Sequence, residues 1–336
     1  MVKISSYVYG PVPSRRLGRS LGIDLVPPKT CTYDCIYCQL GRTTNKTAQR
    51  KEWTPLRNVL KELEAHLPSE PDWITISGSG EPTLHSGIGS LIKAVKAITD
   101  TRIAVLTNGS LLWLPEVRDA LCGADLVIPS LDAGEERLFR HVNRPHRDIT
   151  FHRMIDGLCE FRKSFAGQYW LEVFILGGIT GLPIQVREIA EIAGRIGPQR
   201  VHLNTVVRPP AESFAVPVPQ ELMDQFAGTF GDHAEVIVSS QNRLHGGHAS
   251  STPQEVLSLV SRRPCTLEDI AAGLDLDLSE ASKCVEQLAV AGLLETEHQG
   301  RWLYFRGSLG RRLNAPSAGM RAVASTEPGH EHGGNR

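Results

Sequence analysis

No apolar run in this 336-residue chain approaches the length needed to cross a bilayer. Its opening, Met1-Val-Lys-Ile-Ser-Ser, lacks the charged-then-apolar pattern of a secretory signal. There is no excess of charge of one sign either: 36 basic and 37 acidic side chains leave a formal net charge of −1. That balance excludes a global field drawing the molecule to nucleic acid or acidic lipid, and no membrane partner is expected. What remains, 41% hydrophobic and 22% charged, is the composition of an ordinary globular protein. The length allows more than one domain and a substantial core.

Cysteine is sparse and unevenly placed. Of the seven, Cys122, Cys159, Cys265 and Cys284 are scattered singly in expected helices and read as small buried hydrophobes or bystanders. The pattern is that of a reducing, cytoplasmic compartment. The other three, Cys31, Cys35 and Cys38, share one short loop as C-x3-C-x2-C. Three thiolates are one too few for a closed tetrahedral zinc or iron–sulfur site. The nearest other candidate ligands, His66 and His85, lie well downstream. The ligand count predicts a metal centre with an open coordination position; structural zinc and inert core thiols are the alternatives. With no second cysteine group, a single centre is expected.

The first 240 residues alternate Val-, Ile- and Leu-rich strands with amphipathic helices. Strands are predicted at Leu21–Val26, Trp73–Ser77, Ile103–Thr107, Leu126–Ser130, Tyr169–Leu176 and Val201–Val207. Helices are predicted at Pro55–His66, Ile88–Thr99, Pro115–Leu121, Phe151–Phe165 and Pro183–Ile196, several opening on proline, where a missing N–H costs nothing. Successive β–α pairs imply right-handed crossovers and a curved, barrel-like parallel sheet. The cysteine loop follows the first of these strands and Gly78-Ser79-Gly80-Glu81-Pro82 the second. Thr107-Asn108-Gly109 follows the third and Ser130-Leu131-Asp132 the fourth. All four therefore fall on the rim where such folds place their chemistry.

Cys31-Thr-Tyr-Asp-Cys35-Ile-Tyr37-Cys38, with an aromatic just before the third cysteine, resembles the cluster motif of the radical S-adenosylmethionine (radical SAM) superfamily. Ser79-Gly80-Glu81-Pro82 resembles that superfamily's Gly-Gly-Glu-Pro element, with serine in place of the first glycine. The exchange is tolerable only if the backbone at Ser79 keeps a negative φ. The run from Gly10-Pro-Val-Pro-Ser-Arg-Arg-Leu-Gly through Cys38-Gln-Leu-Gly41 is similar to an unassigned radical SAM subgroup. That subgroup is related to tRNA wybutosine-pathway enzymes and nitrogenase-cofactor maturases, whose auxiliary cysteines are missing here.

The resemblance implies an α/β fold, a partial (β/α)6 TIM-like barrel. It implies a [4Fe-4S] cluster on Cys31, Cys35 and Cys38, and S-adenosyl-L-methionine on the remaining iron. It also implies a low-potential electron donor such as flavodoxin or ferredoxin, and hydrogen abstraction from an unknown substrate. Tyr37 is expected near the adenine, and Glu81, with backbone groups of Ser79 and Gly80, at the cofactor's ammonium. Asn108, Ser130 and Asp132 are candidates for the ribose hydroxyls or the methionine carboxylate, or else turn formers and caps. On the substrate side stand Ser14–Ser20 with Arg15, Arg16 and Arg19, Asn143-Arg144-Pro145-His146, His152 with Arg153, and Arg208-Pro209-Pro210.

Beyond the barrel, residues 241–252 read as a linker rich in serine, glycine and histidine, including His245 and His248. Helix, helix, helix and β-hairpin over 253–312 resemble a winged helix-turn-helix domain. Seven basic against nine acidic side chains equip that domain poorly for phosphate neutralisation. Its ligand is therefore open among DNA, RNA, peptide, a protein partner and the barrel itself. Residues 313–336 are expected to be disordered. Besides an enzyme, an iron–sulfur redox-sensing transcriptional regulator and a zinc-bound scaffold are alternatives.

Overall fold

The computed structural model describes residues 6–14, 16–237, 252–274 and 276–308. The proposed linker apart from Thr252, with its His245 and His248, the proposed terminal tail and Arg15 lie outside the described residues. Strands and helices alternate: β1 (Val8–Ser14), β2 (Gly18–Asp24), β3 (Thr30–Cys31), β4 (Asn45–Lys46), α1 (Leu56–His66), β5 (Trp73–Ser77), α2 (Ile88–Ile98), β6 (Arg102–Thr107), α3 (Pro115–Leu121) and β7 (Leu126–Pro129). They continue with α4 (Glu136–Val142), α5 (Phe151–Ser164), β8 (Gln168–Phe174), α6 (Pro183–Ile196), β9 (Arg200–Asn204), α7 (Gln220–Phe230) and β10 (Ala234–Val236). A C-terminal unit follows, with α8 (Pro253–Arg262), α9 (Leu267–Leu274), α10 (Leu278–Val290), β11 (Leu294–Gln299) and β12 (Trp302–Gly307).

Periodicity explains these elements. In α2 the buried side chains are Ile88, Leu91, Ile92 and Val95, one helical face packed on the sheet. Strands such as β7, Leu-Val-Ile-Pro, are buried throughout, as strands covered on both faces are. The main sheet runs β1-β2-β5-β6-β7-β8-β9-β10, all neighbours parallel except β1, which pairs antiparallel with β2. Its order is linear, with no pairing of β10 to β1 among the described residues, so the barrel is partial.

The six predicted strands form the middle of this sheet, flanked by two edges that the sequence reading lacked. β1, Val-Tyr-Gly-Pro-Val-Pro-Ser, carries two prolines and a glycine, tolerated because an edge strand leaves one side unpaired. β10 has only three residues. Boundaries also shift. β2 begins at Gly18 and ends at Asp24, and β8 and β9 stop at Phe174 and Asn204, so the residues after them enter the loops of the rim. Helices α4 and α7 were likewise not anticipated. The two largest of four separate apolar clusters among the described residues are one running from Val8 to Phe230 and one of Val256, Leu259, Ile270, Val285 and their neighbours in the C-terminal unit. No helix among the described residues is long and apolar enough to cross a membrane.

Candidate functional site

The cysteine loop is held by the residues between its thiols. Tyr33 (3% exposed) meets Phe139 of α4 edge-on at 5.5 Å, and Ile36 (0%) enters a small core with Val142, Leu176, Val206 and Ala215. Asp34 accepts hydrogen bonds from Arg42 Nε at 2.9 Å and from the Thr43 amide at 2.8 Å. Main-chain bonds finish the clamp. The amides of Asp34 and Ile36 donate to the carbonyls of Asn143 and Val142, and the His146 amide donates to that of Thr32. Cys31 itself lies in β3, paired with Lys46 of β4.

All three thiols line a cavity of about 1350 Å³ on the carboxyl-end rim. Burial pushes Cys31 up to about 12, with the Glu81 carboxylate adding to the effect. Burial raises Cys35 well above its ordinary value; it also raises Cys38, where the Leu40 amide, Lys29 and Arg306 oppose the shift. Three desolvated thiols ionise readily only beside a bound cation, so this donor set fits a metal cluster. No three or more His, Cys, Asp and Glu side chains among the described residues gather around one point as a single ion would require. Ligands of a multinuclear cluster bind different irons and need not converge.

The Gly78–Glu81 loop closes against the cysteine loop. The Lys29 amide donates to the Ser79 carbonyl at 2.6 Å, and the Glu81 amide to the Thr30 carbonyl at 3.1 Å. A Cβ on Gly80 would meet that Thr30 oxygen at 1.9 Å, so only glycine allows the approach. Gly78 takes the left-handed turn with φ +114°, and Ser79 is not among the positive-φ residues, which meets the condition for serine in place of glycine. Ser79 donates its amide to Asp24 Oδ1 at 2.5 Å.

Glu81 (2% exposed) caps the short helical turn Pro82–Leu84. Its Oε1 accepts from the Thr83 amide and from the hydroxyls of Thr83 and Thr107; its Oε2 accepts from the Asn108 amide at 2.8 Å. Burial raises the carboxyl and these bonds pull it back. Asn108 passes the connection on, its Nδ2 lying 2.7 Å from Thr32 Oγ1 and 3.5 Å from Cys31 Sγ. Asp132 (3% exposed) accepts from the Tyr37 hydroxyl at 2.5 Å, Asn143 Nδ2 at 2.7 Å and the Phe174 amide at 3.1 Å. Burial pushes Asp132 up to about 6. Tyr37 stacks on Phe174 with ring centroids 4.0 Å apart. Ser130 bridges to Glu172 and lines the cavity, as do Tyr37, Ser79, Gly80, Glu81 and Asn108.

The structure thus brings the predicted residues to one rim, Asp132 standing behind it rather than on the cavity wall. Of the substrate-side candidates, Ser14, Arg16, Leu17, Ser20 and the run Arg208-Pro209-Pro210 line the cavity, and Arg19 does not. Asn143 is buried, with Nδ2 3.5 Å from Cys35 Sγ, so its segment supports the cysteine loop from behind. His152 and Arg153 are exposed on α5 and do not line the cavity. Of the scattered cysteines, Cys265 and Cys284 are buried, Cys159 half-buried and Cys122 exposed. The sequence reading missed Asp24, Glu172, Phe174, Asn204 and Arg262, which carry no motif and meet only through strand order.

The pattern of the radical SAM superfamily matches residues 25–202, more than half of the chain. The chain belongs to the radical SAM superfamily. It is 31% identical over 317 residues to UPF0026 protein MJ1312 of Methanocaldococcus jannaschii, covering 91% of this chain and 98% of that protein. A protein named GTPase Obg from Brachyspira hyodysenteriae is 38% identical over 295 residues. That match covers 86% of this chain but only 43% of the relative. Among solved structures, Streptococcus suis SuiB bound to precursor peptide SuiA shares the fold, with a TM-score of 0.50 at 13% identity over 63% of this chain and 47% of that one. As a radical SAM protein the chain is an enzyme, and S-adenosylmethionine with a four-iron cluster is the cofactor pair its family implies.

Proposed function

We propose that Cys31, Cys35 and Cys38 hold a single [4Fe-4S] cluster, and that S-adenosyl-L-methionine binds the iron they leave free. Carrying this reading is one observation: three desolvated thiols on a cavity wall, with a glycine-dependent loop hydrogen-bonded to the strand that bears the first of them. When bound, the pair supplies reductive cleavage to methionine and a 5′-deoxyadenosyl radical that abstracts hydrogen from an unactivated C–H bond.

The chain's own residues position and shield. Backbone carbonyls of the Ser79–Gly80 turn and the Glu81 region receive the cofactor's ammonium. Because the Glu81 oxygens are already engaged by Thr83, Thr107 and Asn108, its charge acts there through the loop it holds. Asn108 and Ser130 face the cavity and offer polar atoms to the ribose or carboxylate. Tyr37, fixed between Asp132 and Phe174, provides a flat wall for the adenine. A reduced flavodoxin or ferredoxin supplies the electron. The C-terminal unit covers the cavity mouth: Arg262, Asp269 and Tyr304 all line it.

Anaerobic reconstitution with iron and sulfide, followed by dithionite and S-adenosylmethionine, tests the proposal. The expected result is a brown protein releasing 5′-deoxyadenosine, with alanine at any of the three cysteines abolishing colour and release together. A brown protein that leaves the nucleoside intact yet binds DNA in a salt-sensitive way would instead make it a regulator.

A further inference from the structure

At the end of β9 and in the loop after it, three buried side-chain polar atoms lack hydrogen-bonding partners. Asn204, 2% exposed, leaves both Oδ1 and Nδ2 unsatisfied, and Arg208 in the following loop leaves Nε unsatisfied. Both residues line the large cavity. Buried donors and acceptors are nearly always paired, because an unmade bond forfeits hydration without return. A side-chain amide left open on both its atoms marks a place prepared for a ligand.

The surroundings narrow the ligand's chemistry. Asn204 stands opposite Phe174 in the β8–β9 register, and Phe174 carries the Tyr37 stack, so the amide lies at the cysteine-loop end of the barrel. One step deeper on the same face of β8, Glu172 is ion-paired with Arg16. Arg208 is paired with Asp269 at 3.5 Å and Arg262 with Asp24 at 2.9 Å. The lining holds as many carboxylates as Lys and Arg side chains, five of each. No surplus of positive charge is available for a phosphate backbone, which disfavours nucleic acid. An Asn amide presents a donor and an acceptor side by side, complementary to a group presenting the reverse, and Arg208 Nε–H adds a donor for a neighbouring carbonyl. A peptide chain offers that repeating set. The volume of about 1350 Å³ exceeds a usual small-molecule site of ~300–1,000 Å³, leaving room for a peptide segment beside a nucleoside.

We infer that Asn204 and Arg208 form a recognition site for a peptide-type amide of the substrate, at the seam between the barrel and the C-terminal unit. Calling this ligand a substrate rests on the radical SAM reading; the binding itself does not.

The test uses full-length protein loaded anaerobically with cluster and S-adenosylmethionine, titrated with N-acetyl-trialanine amide or with uridine and followed by saturation-transfer NMR. The peptide is expected to bind and uridine not. Asn204→Leu, Asn204→Asp and Arg208→Leu are each expected to weaken the peptide about tenfold or more, with S-adenosylmethionine affinity unchanged. The aspartate variant keeps the side chain's size, so a folding defect in the leucine variant does not remove the test. Absence of peptide binding, unchanged binding in the aspartate variant, preference for uridine, or loss of S-adenosylmethionine affinity instead would overturn the inference. Peptide binding by a protein that never cleaves the cofactor would sink the enzymatic proposal and leave the site standing.

Discussion

Glu81 and Asp132 show how little a residue's chemical type says about its task. Both are carboxylates on an expected active-site rim, and both are engaged by protein donors, Glu81 tying the β6 loop to the β5 loop and Asp132 tying Tyr37 to Asn143 and Phe174. In Glu81→Gln, the one polar group able to sit at the Oε2 position while Oε1 keeps its three donors is an NH2, which faces the Asn108 N–H donor to donor. That mismatch is expected to cost about 1–3 kcal/mol and to lower the thermal midpoint by a few degrees. Because Asn108 also reaches Cys31 Sγ, S-adenosylmethionine affinity should fall in parallel, measured by equilibrium binding. The motif made Glu81 legible in the sequence; its partners Thr83 and Thr107 were not, since a hydroxyl's partner depends on which loops the sheet brings together. Asn143 is the same case, read as a rim residue and found beneath Cys35.

Strands and helices were legible wherever their period was undisturbed. α2 and α6 place Ile and Val at helical spacing, and β7 is apolar without break. The elements that escaped either contradict local propensity, as Pro11 and Pro13 in β1 do, or are too short to show a period, as β10 is. The loop from Gly78 to Glu81 shows the limit in the other direction, because there sequence and geometry coincide. Gly80→Ala must displace the Thr30 carbonyl, which precedes Cys31, and is expected to prevent cluster assembly while leaving far-UV circular dichroism intact. Gly194→Ala is the matched control. It lies in α6 with open space around a new Cβ, and should be neutral or stabilise by about 0.5–1 kcal/mol in chemical denaturation.

For the whole molecule, the join between barrel and C-terminal unit governs the cavity. Three helices and a hairpin were legible over 253–312; their seat over the rim was not, since it depends on single side chains. Arg262 Nε reaches Asp24 Oδ2 at 2.9 Å, its Nη2 reaches the Ser6 carbonyl, and its guanidinium lies 4.4 Å from the Tyr9 ring centroid. The Tyr304 hydroxyl donates to the Val207 carbonyl, and Val12 of β1 packs on the C-terminal core. Arg262→Met leaves Asp24 buried without its cation, a loss of about 3–5 kcal/mol for such a pair. Faster amide hydrogen exchange throughout 253–308 is the expected outcome, measured by mass spectrometry; exchange confined to the mutated helix would refute this seat for the unit.

Asp24 also has a second client. Its other oxygen holds the Ser79 amide, so one carboxylate is shared between the docked arginine and the turn assigned to the methionine end of the cofactor. Binding equilibria that share a group are reciprocal. By whatever factor release of the C-terminal unit weakens the proposed S-adenosylmethionine site, occupation of that site must strengthen the unit's hold by the same factor.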